Sequence, residues 1–293
     1  MRVAVVDVGA NTLRLLVAEA DTSGVARVHE ERRRTALGED VERLGTLTKD
    51  KIERSAEAAR KEVRRARRLG ASRIQIVVTS PWRDAENGWE LVEALERASG
   101  LGVRALTAEE EAQLGYLGAL ASTEVEGRPV AVCDVGGGST QLAIGSGPEP
   151  AWLLSVPLGS LRLTERCLHS DPPTRDELAA AGRQTDAAFD ALTPPLPAAA
   201  LATGGTARAL RRAGFPILDT ATLERAVDEL AELPVAARGR RAKAEPHRAR
   251  TLPAGAIILG RVQALMQVPL QVAVGGIREG VCVSLLEAER ATA

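Results

Sequence analysis

"VAVCDVGGGSTQLAIG" (130–145) sets an apolar run, an aspartate, a glycine turn and two hydroxyl residues ahead of a second apolar run. That order predicts strand, tight loop, strand: a hairpin. "VAVVDVGANTLRLLVA" (3–18) has the same arrangement. Offset by 127 residues, Val3, Ala4, Val5, Asp7, Val8 and Gly9 fall on identical residues at Val130, Ala131, Val132, Asp134, Val135 and Gly136. Thr12 falls on Ser139 and Leu15 on Leu142. A repeat spaced by one domain length predicts two similar α/β domains and not a solenoid, whose period is far shorter. The domains are expected at 1–121 and 122–293, with a C-terminal helix over about 279–293 packing back on the first. The two turns are expected to face a shared interdomain cleft, a favoured place for ligands.

The rest of the chain reads as alternating strands and helices. A helix is predicted over 48–70, a buried strand over 73–80, a helix ending at Gly100, a strand at 103–107 and a helix from Ala108. After the second hairpin, Thr174 and Glu177 form a capping-box pattern. "LATGGTARAL" (201–210) and "LQVAVGGIREGVCVSLLEA" (270–288) each read as strand, Gly-Gly turn, helix.

With 293 residues, 45% of them hydrophobic, the chain can bury a large core, made mostly of aliphatic side chains because only 2% are aromatic. A net charge of −1 gives no global attraction to nucleic acid or to an anionic membrane. Cys133, Cys167 and Cys282 are odd in number and lack paired spacing, so no disulfide framework is expected, and a cytoplasmic location fits. His29, His169 and His247 are scattered, and no zinc pattern is readable. The start of the chain does not read as a signal peptide, since Asp7 interrupts its short apolar run. The apolar stretch at 252–274 is broken by Arg261, Gln and Pro, which predicts a buried helix and a strand instead of a membrane span.

The chemistry concentrates in the turns. Gly136, Gly137 and Gly138 leave a backbone whose N–H groups can form an anion-binding nest, with Ser139 and Thr140 as hydroxyl donors. Gly204, Gly205 and Thr206 fall where a helix begins, a second place suited to phosphate. Asp7 and Asp134 suit Mg²⁺ or another divalent cation opposite phosphate oxygens; the alternative is a turn-forming role. Glu109, Glu110 and Glu111 form either a solvated first helical turn or a turn from which one carboxylate orients water. The segment 236–250, "AARGRRAKAEPHRAR", is the most basic; it is either a solvated loop or a local track for a polyanion.

These motifs, with "VVTSPWRDAENGWELVE", "LTAEEEAQLGYLGAL", "SVPLGSLRLTER" and "VGGIREGV", occur in an order that resembles the exopolyphosphatase/guanosine pentaphosphate phosphohydrolase (Ppx/GppA) family. The resemblance covers essentially the whole chain. It implies two actin-like (ribonuclease-H-like) α/β domains with mixed sheets, a phosphate- and Mg²⁺-binding interdomain cleft, and a homodimer. Longer members carry added C-terminal helical domains, which are not expected in this chain. The family's "SGxEEA" matches "TAEEEA", placing the water-activating glutamate on Glu111, with Glu110 as fallback. "DIGSNS" matches "DVGANT", carrying phosphate contact to Asn11 and Thr12 and metal association to Asp7. The arginine of "TSxLRDA" falls on Arg83, a phosphate clamp. "DIGGGSTE" maps onto Asp134 to Thr140, but its final glutamate is Gln141, so a carboxylate that would position metal or water is missing. The family's "RAD" reads "RAR", retaining Arg248 as a phosphate-site residue and replacing an acid by Arg250. The implied activity is hydrolysis of terminal phosphate from inorganic polyphosphate or guanosine pentaphosphate. A non-hydrolysing sensor and an ATP-dependent kinase are the rival readings.

Overall fold

Residues 3–6 and 130–133 are apolar without alternation, the pattern of strands buried on both faces. Both become central strands. The computed structural model describes residues 1–21 and 24–292 and divides the chain into two units, Met1–Ser122 with Gly275–Ala293, and Thr123–Val274.

The first unit contains β1 (Arg2–Val8), β2 (Thr12–Asp21), β3 (Gly24–Arg34), α1 (Leu37–Leu44), α2 (Lys49–Arg68), β4 (Arg73–Val78), α3 (Ser80–Asp84), α4 (Gly88–Ser99), β5 (Val103–Ala105) and α5 (Ala108–Leu120). The second contains β6 (Val130–Val135), β7 (Thr140–Gly145), β8 (Trp152–Val156), α6 (Ser160–Cys167), α7 (Arg175–Phe189), β9 (Ala199–Thr203), α8 (Gly204–Arg212), β10 (Ile217–Leu218), α9 (Thr220–Ala231), α10 (Val235–Ala242), α11 (Pro246–Met266) and β11 (Leu270–Val272). The chain then enters α12 (Ile277–Thr292), which belongs to the first unit. Ala293, the last residue of the expected terminal helix, lies outside the described residues.

The repeat in sequence is a repeat in topology. One sheet runs β3-β2-β1-β4-β5, the other β10-β11-β9-β6-β7-β8. In each, an antiparallel meander (β1-β2-β3, β6-β7-β8) adjoins parallel strands (β4 and β5; β9 and β11). Hairpin register places Asp7 opposite Arg14 and Asp134 opposite Gln141.

Alternate side chains of β1 feed two cores. Ala4, Val6 and Val8 pack with Ile52 and Val63 of α2 and Leu91 and Leu95 of α4. Val3 and Val5 pack with Leu114 of α5 and with Val281 and Cys282 of α12. Burial pushes the Cys282 thiol up to about 12, so it behaves as a small apolar side chain. Glycines bring α5 and α12 together: a Cβ on Gly118 would lie 1.9 Å from the Gly276 carbonyl oxygen, and one on Gly280 would lie 2.0 Å from that of Leu114. In the second unit, Val135, Leu142, Leu163, Phe189, Leu210, Leu252 and Leu259 share one core.

The basic segment does not form the continuous track that its sequence offered. Arg238 is 1% exposed and donates to the carbonyls of Leu230, Leu233 and Ala249, tying α9 to α10 and α11. Arg241 pairs with Glu229 and lies over the Phe215 ring, and Arg250 pairs with Glu165. Among the described residues, no helix is long and apolar enough to cross a membrane.

Candidate active site

In the first unit the residues singled out in sequence gather where parallel strands end, the edge at which α/β sheets bind ligands. β1 leads into the 9–12 turn, closed by the Gly9 N–H to Thr12 carbonyl bond of 3.1 Å. β4 leads through Thr79, whose N–H donates to Val8, into α3 with Arg83, and β5 leads into α5 with Glu111. Thr12 and Asn11 are buried, and Asn11 Nδ2 has no hydrogen-bond partner among the described residues. An amide donor in that position suits a phosphate oxygen.

The three glutamates of α5 have different roles. Glu109 is exposed. Glu110 closes a capping box, accepting from the Thr107 N–H at 2.9 Å, and also accepts from Arg104 Nη2 at 2.7 Å. Burial raises its pKa, but the Thr107 N–H and Arg104 outweigh this and leave its carboxyl below the usual range. Such a group is a poor base. Glu111 is 7% exposed and accepts from Arg83 Nη2 at 2.6 Å. Arg83 Nη1 in turn donates to the Leu106 carbonyl at 2.9 Å, which also accepts from Trp82 Nε1. Glu111 is thus the one acid of the run that is buried and aimed by a fixed cation.

Asp7 has cationic surroundings. It faces Arg14 across the hairpin, and its charge acts on Arg278, a residue of α12 that is 4% exposed and beyond the sites read from sequence.

In the second unit the glycine turn is braced from behind. Gly136 N–H bonds the Ser139 carbonyl at 2.9 Å. The Gly136 carbonyl accepts from the Ser160 N–H and Oγ, and the Gly137 carbonyl accepts from the N–H groups of Leu161 and Arg162. The first turn of α6 therefore holds the carbonyls of the turn. No backbone carbonyl among the described residues accepts from the N–H of Gly137, Gly138 or Ser139, which leaves three successive donors of the kind that bind anions. Gly159, missed in the site reading, makes this brace possible: a Cβ there would lie 2.4 Å from the Gly137 carbonyl oxygen. The Thr140 hydroxyl donates to the Leu158 carbonyl at 2.6 Å and acts as a structural tie.

Gln141 Nε2 donates to Ser139 Oγ at 2.8 Å and to Ser155 Oγ at 3.1 Å. Its Oε1 is buried without a hydrogen-bond partner among the described residues. Asp134 lies between Gln141 and Thr203 in strand register, and its Oδ1 sits against Gly204. Thr203 Oγ1 is a further buried atom without a partner among the described residues, and sequence reasoning passed over it because the glycines beside it were the stronger signal. Arg248, on the first turn of α11, places its guanidinium over Gly205 at the start of α8. Thr206 directs its hydroxyl at the Val135 carbonyl, 3.4 Å away.

Among the described residues there is no cluster of three or more His, Cys, Asp or Glu able to cage a metal. Asp134 and Gln141 are opposite one another in strand register, and Gln141 Oε1 has no hydrogen-bond partner among the described residues. Such a pair of oxygen-bearing side chains fits Mg²⁺, an ion that keeps several waters and needs only one or two protein oxygens with substrate phosphates. Burial, with the neighbouring Asp134 charge, pushes the Cys133 thiol far up, so it is no competing thiolate ligand.

Gly204 has φ +83°, and a Cβ there would lie 2.3 Å from Asp134 Oδ1. Gly204→Ala is expected to cost about 1–2 kcal/mol in backbone strain alone and to displace Asp134, read as a lower urea midpoint and lost turnover. A Cβ on Gly205 would meet the guanidinium of the buried Arg248, 2.7 Å from its Nη2. Gly205→Ala should therefore displace Arg248 and raise KM.

Two mixed α/β units of one repeated topology define the actin-like two-domain class of fold. The model of the Ppx/GppA phosphatase family matches residues 16–289, and the chain belongs to that family. An exopolyphosphatase 2 of Mycobacterium tuberculosis is 36% identical over 192 residues, 62% of this chain and 60% of the relative. The chain thus spans about three-fifths of the length of that curated relative. An exopolyphosphatase 1 of Mycobacterium bovis is 28% identical over 99% of this chain and 89% of its own. The crystal structure of the Aquifex aeolicus Ppx/GppA family member is similar with a TM-score of 0.84 and 29% identity, covering 99% of this chain and 98% of that one.

Proposed function

We propose that this protein hydrolyses phosphoanhydride bonds, releasing terminal phosphate from inorganic polyphosphate with Mg²⁺ as cofactor, in the cytoplasm. The observation that carries this reading is the buried Glu111 carboxylate held by Arg83, set apart from its capped neighbour Glu110. In the proposed reaction Glu111 accepts a proton from water as the water oxygen attacks the terminal phosphorus and the bridging P–O bond breaks to the shortened chain. In the first unit Asn11 and Thr12 are suited to bind phosphate oxygens; in the second unit the backbone donors of Gly137, Gly138 and Ser139 and the Arg248 guanidinium are so suited. Charge neutralisation of those oxygens is what Mg²⁺ at Asp134 and Gln141 supplies when bound. The names of the relatives favour polyphosphate over guanosine pentaphosphate.

The test is phosphate release from polyphosphate, guanosine pentaphosphate and ATP side by side. Polyphosphate is expected to turn over fastest. Binding without release under every divalent metal would overturn hydrolysis and favour the sensor reading, for which the amide at Gln141 is the specific observation. Gln141→Glu adds a second carboxylate opposite Asp134. It is expected to lower the Mg²⁺ concentration giving half-maximal rate about tenfold, the effect of roughly 1.4 kcal/mol of added charge attraction. An unchanged Mg²⁺ dependence would remove Gln141 from the metal site.

A further inference from the structure

The second unit has a groove that no residue of the proposed chemistry lines. It runs along α11 between α7 and α9 and has a volume of about 600 Å³. Its floor is made by Ala256, Gly260 and Ala264, spaced four apart on one stripe of α11. At 1.5 Å per residue that stripe is ~12 Å long. Gly182 of α7 and Gly260 have open space where a Cβ would stand, so the trough is left unfilled by the protein itself.

The rim is acidic. Asp186 lies on the α7 side and Glu224 and Asp228 on the α9 side, with Arg261 the one cation of the lining. Arg261 is already neutralised, with Nη2 2.8 Å from Asp190 and Nε 3.5 Å from Asp186. Glu224 and Asp228 have no ion-pair partner among the described residues. They stand one helical turn apart on α9, above the apolar Leu223 and Val227.

We propose that this groove binds a linear aliphatic polyamine, with its methylenes along the α11 stripe and its ammonium groups at Glu224 and Asp228. The two surfaces together select that chemistry. A hydrated inorganic cation gains nothing from an apolar floor, and a neutral apolar molecule leaves the carboxylates without a counter-charge. The site is separate from the phosphate chemistry and does not depend on it.

Calorimetry of the full chain with spermidine at about 150 mM salt tests this, with polyphosphate left out because it would sequester the amine. One saturable site is expected. Gly260→Leu, which fills the trough and favours the helix, and the double variant Glu224→Gln/Asp228→Asn should each weaken binding at least tenfold (~1.4 kcal/mol). Neither should alter amine-free phosphate release. No saturable heat, equal affinity in both variants, or displacement by Mg²⁺ at matched charge would overturn the proposal. So would binding of a basic amphipathic peptide where spermidine gives none.

Discussion

Glu111→Gln is expected to lower the rate of phosphate release by about 10²–10⁴-fold, the usual contribution of a general base, while polyphosphate binding stays near wild type. The amide oxygen can still accept from Arg83 Nη2, so Arg83 keeps its place between α5 and the Leu106 carbonyl. What is lost is the proton acceptor. Glu110→Gln separates the two carboxylates. Its amide oxygen can still accept from the Thr107 N–H, so the capping box is kept, while the contact with Arg104 loses its charge, a cost of about 0–1 kcal/mol; turnover should stay near wild type. Phosphate release by single-turnover kinetics, paired with calorimetry, reads both effects. Full turnover in Glu111→Gln would remove Glu111 from the reaction.

The largest stability effect is expected at the seam between α5 and α12. In a helix, alanine ordinarily gains about 1 kcal/mol over glycine. At Gly118 and Gly280 the added Cβ would lie 1.9 and 2.0 Å from backbone carbonyl oxygens of the facing segment. Backbone cannot swing aside as a side chain does, so the two helices must separate. Gly118→Ala and Gly280→Ala are each expected to destabilise by about 1–3 kcal/mol or more, and to lower turnover because α5 carries Glu111. Gly182→Ala, with open space around its Cβ, should instead stabilise by about 0.5–1 kcal/mol. Urea midpoints measure all three. Equal behaviour of the two classes would contradict the packing described.

The hairpins, their glycine-led turns after Asp7-Val8 and Asp134-Val135, and the glycine-led start of α8 were legible because they depend on local chemistry: β-branched runs, residues that free the backbone, and positions at helix starts. The roles of neighbouring like residues were not. Glu110 and Glu111 have the same side chain, and helical rotation sends one to the cap and Arg104, the other inward to Arg83. Arg238, Arg241 and Arg250 read as one basic run, yet α10 and α11 direct them to buried carbonyls, to Glu229 and to Glu165.

Sequence alone determined that the protein is built twice on one hairpin plan, because a residue-for-residue repeat at 127 positions' distance needs no coordinates to be seen. Only the tertiary structure decided which groups are left for a ligand. Thr140 and Gln141 are adjacent polar residues of one strand, but the Thr140 hydroxyl is bonded to Leu158 while Gln141 Oε1 is buried without a partner among the described residues. Hydrogen-bond satisfaction is settled by what packs against each side chain, and those partners come from segments distant in the chain.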